Sequence, residues 1–208
     1  MTSRRILVLF AHPSLERSQI NSRLAPLVRD HDACTLVDLY AEYPTYRIDI
    51  DREQQRLVEH DVVMFLFPLY WYSTPALLKE WQDLVLEHGF AYGNDGVALA
   101  GKFFLCACSA GGPGNAYASD GFNRFTLREL LRPLEQTANL CHMRYLPPFA
   151  LYGSRTALEE GRLADHEKRF SQLLDYLAGS DVSLLESQED CTINQRLDHL
   201  LLQSEEAQ

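Results

Sequence analysis

Apolar and polar positions alternate along this chain in blocks, and the blocks have two periods. Arg5–Phe10, Cys34–Tyr40, Val62–Phe67 and Lys102–Cys108 are short runs of Ile, Leu, Val, Phe and Cys, bounded by polar or Gly/Pro-containing segments. Runs of that length and composition predict strands buried on both faces. Between them the period lengthens. Leu77, Leu78, Trp81, Leu84 and Val85 recur at helical spacing within Pro75–Glu87, and similar patterns predict helices over Gln19–Asp30, from Asp51 to His60, over Thr126–Asn139 and over Thr156–Ala178. Asp51 is placed to cap the second of these. Tyr43–Ile50 reads as irregular, and Cys141–Leu151, which contains Pro147-Pro148, holds a fifth strand.

Five apolar strands joined by helical crossovers predict a parallel sheet with helices on both faces. At this size the expected fold is α/β, a flavodoxin-like three-layer sandwich with strand order 2-1-3-4-5. Such sheets bind ligands outside the carboxyl ends of their strands. The loops expected there, after strands one, three and four, are His12–Ser18, Pro68–Ser73 and Ser109–Tyr117. These are also the chemically unusual segments of the chain. One domain is expected over 1–180, followed by an acidic extension over 181–208. The tail from Glu186 onward carries half of the net charge of −10, and Ile193–Leu202 has the spacing of a weak amphipathic helix.

That net charge argues against a general nucleic-acid partner. No apolar run approaches the roughly 20 residues of a membrane-spanning helix. The five cysteines are odd in number and lack a C-x-x-C pair, so reduced thiols in a cytoplasmic protein are expected. Cys106 and Cys108 should share one sheet face as small hydrophobes. No residue pattern suggests a metal site.

The candidate chemistry lies in the three loops. Leu69, Tyr70, Trp71 and Tyr72 offer flat apolar faces with hydroxyl and indole donors, which suits a flat heteroaromatic ring. The chain has no G-x-G-x-x-G fingerprint, so a flavin is favoured over a dinucleotide in a Rossmann site. The first loop joins a strand to a helix N-terminus, an anion site by its free N–H groups and dipole. Ser18 and Asn21 can add hydrogen bonds there, and His12 or Arg17 a positive charge. Plain N-capping by Ser18 is the alternative. Gly111-Gly112 lets backbone donors approach a ligand closely.

Taken together and in order, Ala11-His12-Pro13 with Ser18 and Asn21, Phe67–Lys79, Gly89–Gly93, Gly111-Gly112 and Leu146-Pro147-Pro148-Phe149 resemble the NAD(P)H:quinone oxidoreductase family of DT-diaphorase-like flavoproteins. The likeness spans residues 5–178. Within that family it runs to bacterial ancillary subunits of glutathione-gated potassium-efflux systems, through Tyr43-Pro44, Ile48-Asp49-Ile50 and the short C-terminal region.

The resemblance implies FMN as cofactor, with FAD as the alternative, and NAD(P)H as reductant of a quinone-like acceptor by two-electron ping-pong hydride transfer. It implies that His12, Ser18, Ile20 and Asn21 hold the phosphate end. Pro68, Leu69, Tyr70, Trp71 and Tyr72 would wall the ring, and Ser109, Ala110, Gly111 and Gly112 would meet its pyrimidine edge. Gln54 matches a position that reaches the cofactor. Tyr92 lies in a segment that contributes to a partner subunit's pocket, and Tyr117 matches an active-site tyrosine. Six residues later the mammalian relatives carry a histidine; Asn123 stands here and has no ionisable proton to offer. Further implications are a homodimer, a regulatory role toward a membrane potassium-efflux protein as the alternative function, and a cytoplasmic location, peripheral at the inner membrane through that partner.

Overall fold

A computed structural model describes residues 3–187, 191–197 and 200. Its sheet is built on β1 (Ile6–Phe10), β2 (Cys34–Asp38), β3 (Val62–Pro68), β4 (Phe103–Ser109), β5 (Arg144–Tyr145) and β6 (Phe149–Leu151). The strands run parallel in the order β2-β1-β3-β4-β5, and β6 also pairs with β4. Every residue of β1, β3 and β4 is buried, because helices cover both faces.

Alternate residues of each strand feed separate cores. Leu7, Leu9, Phe65, Phe67, Phe104, Cys106 and Cys108 face one side. There they meet Leu57 of α3 (Ile50–Glu59), Leu77 and Trp81 of α4 (Ala76–Val85), Leu127 of α5 (Leu127–Leu130) and Leu134 of α6 (Arg132–Leu140), with Leu39 of the one-turn helix α2 (Leu39–Glu42). Ile6, Val8, Phe10, Met64, Leu66, Leu105 and Ala107 face the other side. They pack on Leu24 and Val28 of α1 (Asn21–Arg29) and on Phe170, Leu173, Leu174 and Leu177 of α7 (Arg162–Gly179). The result is the expected three-layer order. All five cysteines are free thiols, and burial pushes those of Cys106 and Cys108 up. Among the described residues no helix is long and apolar enough to cross a membrane.

The structure corrects several sequence expectations. Asp49, not Asp51, caps α3, accepting from Arg52 N at 3.2 Å. The chain leaves β2 at Asp38 for α2 instead of continuing as strand to Tyr40, since Asp38 caps that turn through Ala41 N. The helix expected over Thr126–Asn139 is two: α5 opens with a Thr126/Glu129 capping box, and α6 restarts with Pro133 in its first turn. Pro147-Pro148 splits the fifth strand into β5 and β6, as prolines cannot donate to the ladder. The last helix begins at Arg162 rather than Thr156, behind Gly161 at φ +71°. Of the amphipathic helix expected over Ile193–Leu202, residues 193–197 and 200 are helical and the rest lies outside the described residues.

A buried polar cluster fixes α2, α3 and α4 to one another. The Glu53 carboxylate, fully buried on α3, accepts from the Tyr43 hydroxyl at 2.6 Å and from Trp81 Nε1 at 2.8 Å. Arg56 pairs with it as well, and with Glu42. This cluster orients α4, the helix that leads away from the aromatic loop.

Candidate functional site

The loops at the carboxyl ends of β1, β3, β4 and β6 enclose a cleft of about 1480 Å³. Pockets for drug-sized ligands run to roughly 1,000 Å³, so this one has room for a cofactor and a second planar molecule.

The first wall follows β1. His12 is buried, and its Nδ1 accepts from Ser14 N at 3.2 Å, which assigns the ring proton to Nε2. Burial lowers its pKa, so the ring is neutral at pH 7. The ring meets Tyr70 edge-on at 6.1 Å. A short 3-10 turn, Leu15–Arg17, then delivers the chain to α1. Ser18 Oγ accepts from Ser22 N at 3.1 Å, but Ser18 is not the N-cap of α1: Ile20 holds that position, with no side-chain cap bond. The N–H groups of Gln19, Ile20 and Asn21 find no acceptor among the described residues. Both amide atoms of the buried Asn21 side chain are also unpaired, a costly arrangement unless a ligand or water completes it.

The second wall follows β3. Leu69 N bonds Ser109 O at 2.8 Å, and Tyr70 and Ser73 exchange backbone hydrogen bonds at 3.1 and 3.0 Å. The two residues between them, Trp71 and Tyr72, have φ of +49° and +65°. This is a type I′ turn, which ordinarily carries Asn-Gly. Bulky residues in that conformation store strain, a mark of functional sites. The turn leaves Trp71 94% exposed, so it is no part of the core.

The third wall joins the loops after β4 and β6. Ala110 N bonds Leu151 O at 2.8 Å, Ser154 N bonds Ala110 O at 3.0 Å, and Gly153 N bonds Gly112 O at 2.7 Å. Tyr117 packs on Tyr152 with ring centroids 5.3 Å apart. Burial raises its pKa, while the Gly112 N–H and the Asn123 side chain act in the other direction. The Tyr72 hydroxyl donates to Asn123 Oδ1 at 3.2 Å, tying the aromatic turn to this wall.

Of the residues singled out from sequence, His12, Ser18, Ile20, Pro68, Leu69, Tyr70, Trp71 and Tyr72 line the cleft. So do Ser109, Gly111, Gly112, Tyr117 and Asn123. Three do not. Asn21 lies behind Ile20 in the first turn of α1. Ala110 is fully buried with its N–H committed to Leu151. Gln54 stands apart, its amide donating to Val85 O at 3.0 Å and to Glu87 at 2.8 Å.

Sequence reasoning missed Ser154, Arg155 and Phe122, which also line the cleft. The first two follow the carboxyl end of the fifth strand at Leu151, so the rule of loops at strand carboxyl ends finds them once it is extended beyond strands one, three and four. Arg162 secures that loop by donating to Tyr152 O at 2.8 Å and Gly153 O at 2.9 Å. Among the described residues no group of His, Cys, Asp and Glu side chains could hold a metal ion.

A twisted parallel sheet with its cleft at the strand carboxyl ends and a helix N-terminus opening into that cleft defines a ligand-binding α/β protein of the doubly wound class. Residues 4–174 match the family described by its flavodoxin-like fold, and the chain belongs to that family. It is 46% identical over 171 residues to the glutathione-regulated potassium-efflux system ancillary protein KefG of Cronobacter sakazakii, covering 82% of this chain and 92% of that one. Among solved structures it resembles general stress protein 14 of Treponema denticola in complex with FMN, at 38% identity and a TM-score of 0.78 over 83% of this chain and 99% of that one. An NADPH-quinone reductase from P. pentosaceus is 34% identical with a TM-score of 0.74, over 82% and 97% of the two chains.

Proposed function

We propose that this protein is an FMN-dependent NAD(P)H oxidoreductase that reduces quinones or similar flat acceptors. The observation that carries the reading is one cleft that joins unpaired N–H groups at the start of α1, a strained aromatic turn and a Gly-Gly loop. The relatives named for FMN and for NADPH-quinone reduction support it.

The residues present fit the cofactor. Its phosphate suits the N–H groups of Gln19, Ile20 and Asn21 with the Ser18 hydroxyl, where the dipole of the nine-residue α1 adds to the attraction. The unpaired amide of Asn21 lies buried directly behind this cradle and does not line it, so Asn21 would serve the phosphate through its backbone N–H. Pro68, Leu69, Tyr70, Trp71 and Tyr72 wall the ring, and Ser109, Gly111 and Gly112 meet its polar edge. Ala110 acts through backbone placement only. When bound, the flavin supplies the two-electron redox chemistry.

The chain's own residues bind, orient and exclude water. Trp71 presents an exposed indole on which a flat reductant or acceptor can stack. One open face serves both substrates in turn, which implies ping-pong kinetics. Burial keeps the Tyr117 phenol protonated at neutral pH, so it can donate a hydrogen bond to an acceptor's carbonyl oxygen. Asn123 orients Tyr72 and Tyr117 but carries no proton to transfer, so solvent supplies the acceptor's protons. A homodimer in the cytoplasm belongs to this reading: the apolar rim formed by Trp71 and Phe122, 94% and 89% exposed, is suited to cover by a second copy.

A second role is favoured by the 46% identity to an ancillary protein of a potassium-efflux system. It is docking on such a membrane protein as a regulatory subunit, peripheral at the inner membrane. The two roles can coexist. Trp71→Ala should abolish turnover, and a folded variant that also loses channel activation would refute independent regulation.

The deciding experiment is an absorbance spectrum of the purified protein, cofactor identification after heat release, and anaerobic NADPH addition. Flavin bands that bleach with NADPH and return with a quinone are expected. A colourless protein that refuses added FMN and FAD would overturn the oxidoreductase reading.

A further inference from the structure

The family match stops at residue 174, yet a later segment is built into the sheet. β6 bonds β4 on one side, and its other side is the outer edge of the sheet. There Ala150 N donates to the side-chain Oδ1 of Asn194 at 2.9 Å, and Ile193 N donates to Pro148 O at 2.9 Å. The pair imitates a neighbouring strand, occupying backbone groups that an open edge would offer to water or to another chain. Ile193 and Leu197 are buried in the same core as Phe149, Phe170 and Leu174. A second tether comes from α5, where the buried Arg128 donates to Ser187 O at 2.7 Å.

The edge so closed carries one wall of the cleft. One residue beyond Ala150, Leu151 O accepts from Ala110 N, and two further on Gly153 N donates to Gly112 O. Tyr152, between them, packs on Tyr117. A shift of β6 along its edge therefore displaces the Gly111-Gly112 backbone and the Tyr117 ring together.

We propose that residues 191–197 are a brace on the cleft and that Asn194 is a positioning residue: its hydrogen bond to Ala150 holds β6 where the Gly-Gly loop and Tyr152 receive the ligand. The ligand half of this statement rests on the FMN reading above; the structural half stands without it. Cleft occupancy and docking of the C-terminal segment are then coupled, each favouring the other by the same factor.

The test uses full-length protein with Asn194→Ala and Asn194→Asp. The aspartate keeps an acceptor oxygen at the same place, and the alanine does not. Amide hydrogen exchange is followed at Ala150, Ala110 and Gly153, and FMN affinity by fluorescence titration. Asn194→Ala should speed exchange at Ala150 about tenfold or more, because a partly buried donor loses its acceptor. It should also speed Ala110 and Gly153 and weaken FMN binding by about three- to tenfold, in the range for residues that act through a packed network. Asn194→Asp should match the wild type in both readouts. Faster exchange confined to Ala150 with unchanged FMN affinity would overturn the brace, as would no change in exchange at all. A wild-type protein that binds no flavin while the three amides respond together would overturn the oxidoreductase reading and leave the brace standing.

Discussion

Replacing Glu53 by alanine tests the packing that aims the aromatic turn. Three donors converge on this one carboxylate, which has no exposed surface: the Tyr43 hydroxyl at 2.6 Å, Trp81 Nε1 at 2.8 Å and the Arg56 guanidinium. Arg56 keeps two bonds to Glu42, both at 3.0 Å, so its charge stays paired in the variant. The tyrosine hydroxyl and the indole N–H do not. Each buried donor left without an acceptor costs ~1–3 kcal/mol. Two of them, with part of the lost bond to Arg56, give a destabilisation of about 4 kcal/mol. For a chain of this length each kcal/mol moves the melting temperature by about 2–4 °C, so a fall of roughly 8–16 °C is expected. Urea unfolding should show a lower midpoint at an unchanged slope. Glu53→Gln should fall between the two, since it keeps one acceptor oxygen but turns an NH2 group toward donors. A loss below about 1 kcal/mol for Glu53→Ala would refute the reasoning, because it would mean that Tyr43 and Trp81 find other acceptors at little cost.

Two further predictions separate stability from function. Trp71→Gly should stabilise the fold by up to about 1 kcal/mol, as glycine accepts the positive φ without strain, while removing the indole and with it most of the turnover; a variant equally active, or less stable in urea, would show that the turn is unstrained or the indole idle. The buried His166, stacked on Phe149 at 4.7 Å, has its pKa lowered to about 4 by burial. Its folded-state pKa lies below the unfolded value of about 6.5. The unfolded chain therefore binds the proton first, and stability falls as pH drops from about 6.5 to about 4, by ~3 kcal/mol in total. His166→Phe should flatten that part of the stability–pH curve; an unchanged curve would assign the acid sensitivity to other groups.

Much of this molecule was legible in the order of its residues. Uninterrupted apolar runs at Ile6–Phe10, Val62–Pro68 and Phe103–Ser109 report strands covered on both faces, and the helical spacing of Leu77, Leu78, Trp81 and Val85 reports a helix with one buried side. Those two periods imply a parallel three-layer sheet, and the sheet implies where its loops converge. The order of residues alone therefore puts the aromatic and Gly-Gly segments at a cleft. Periodicity reports burial residue by residue; it does not report partners.

The features decided by the tertiary structure are pairings between distant residues or conformations forced from outside. The sequence Tyr70-Trp71-Tyr72-Ser73 has no turn signal of its own. Both central residues take positive φ between the bonded end of β3 and the start of α4, which the Glu53 cluster orients. Glu53 looks like any acid on a helix until Tyr43 and Trp81 close over it. Ser154 and Arg155 join the cleft because Pro147-Pro148 ends one strand and lets a second begin. Asn194 acts on a strand 44 residues earlier. Such contacts form only after the chain entropy of closing long loops has been overcome by the burial of two cores, so no local pattern encodes them.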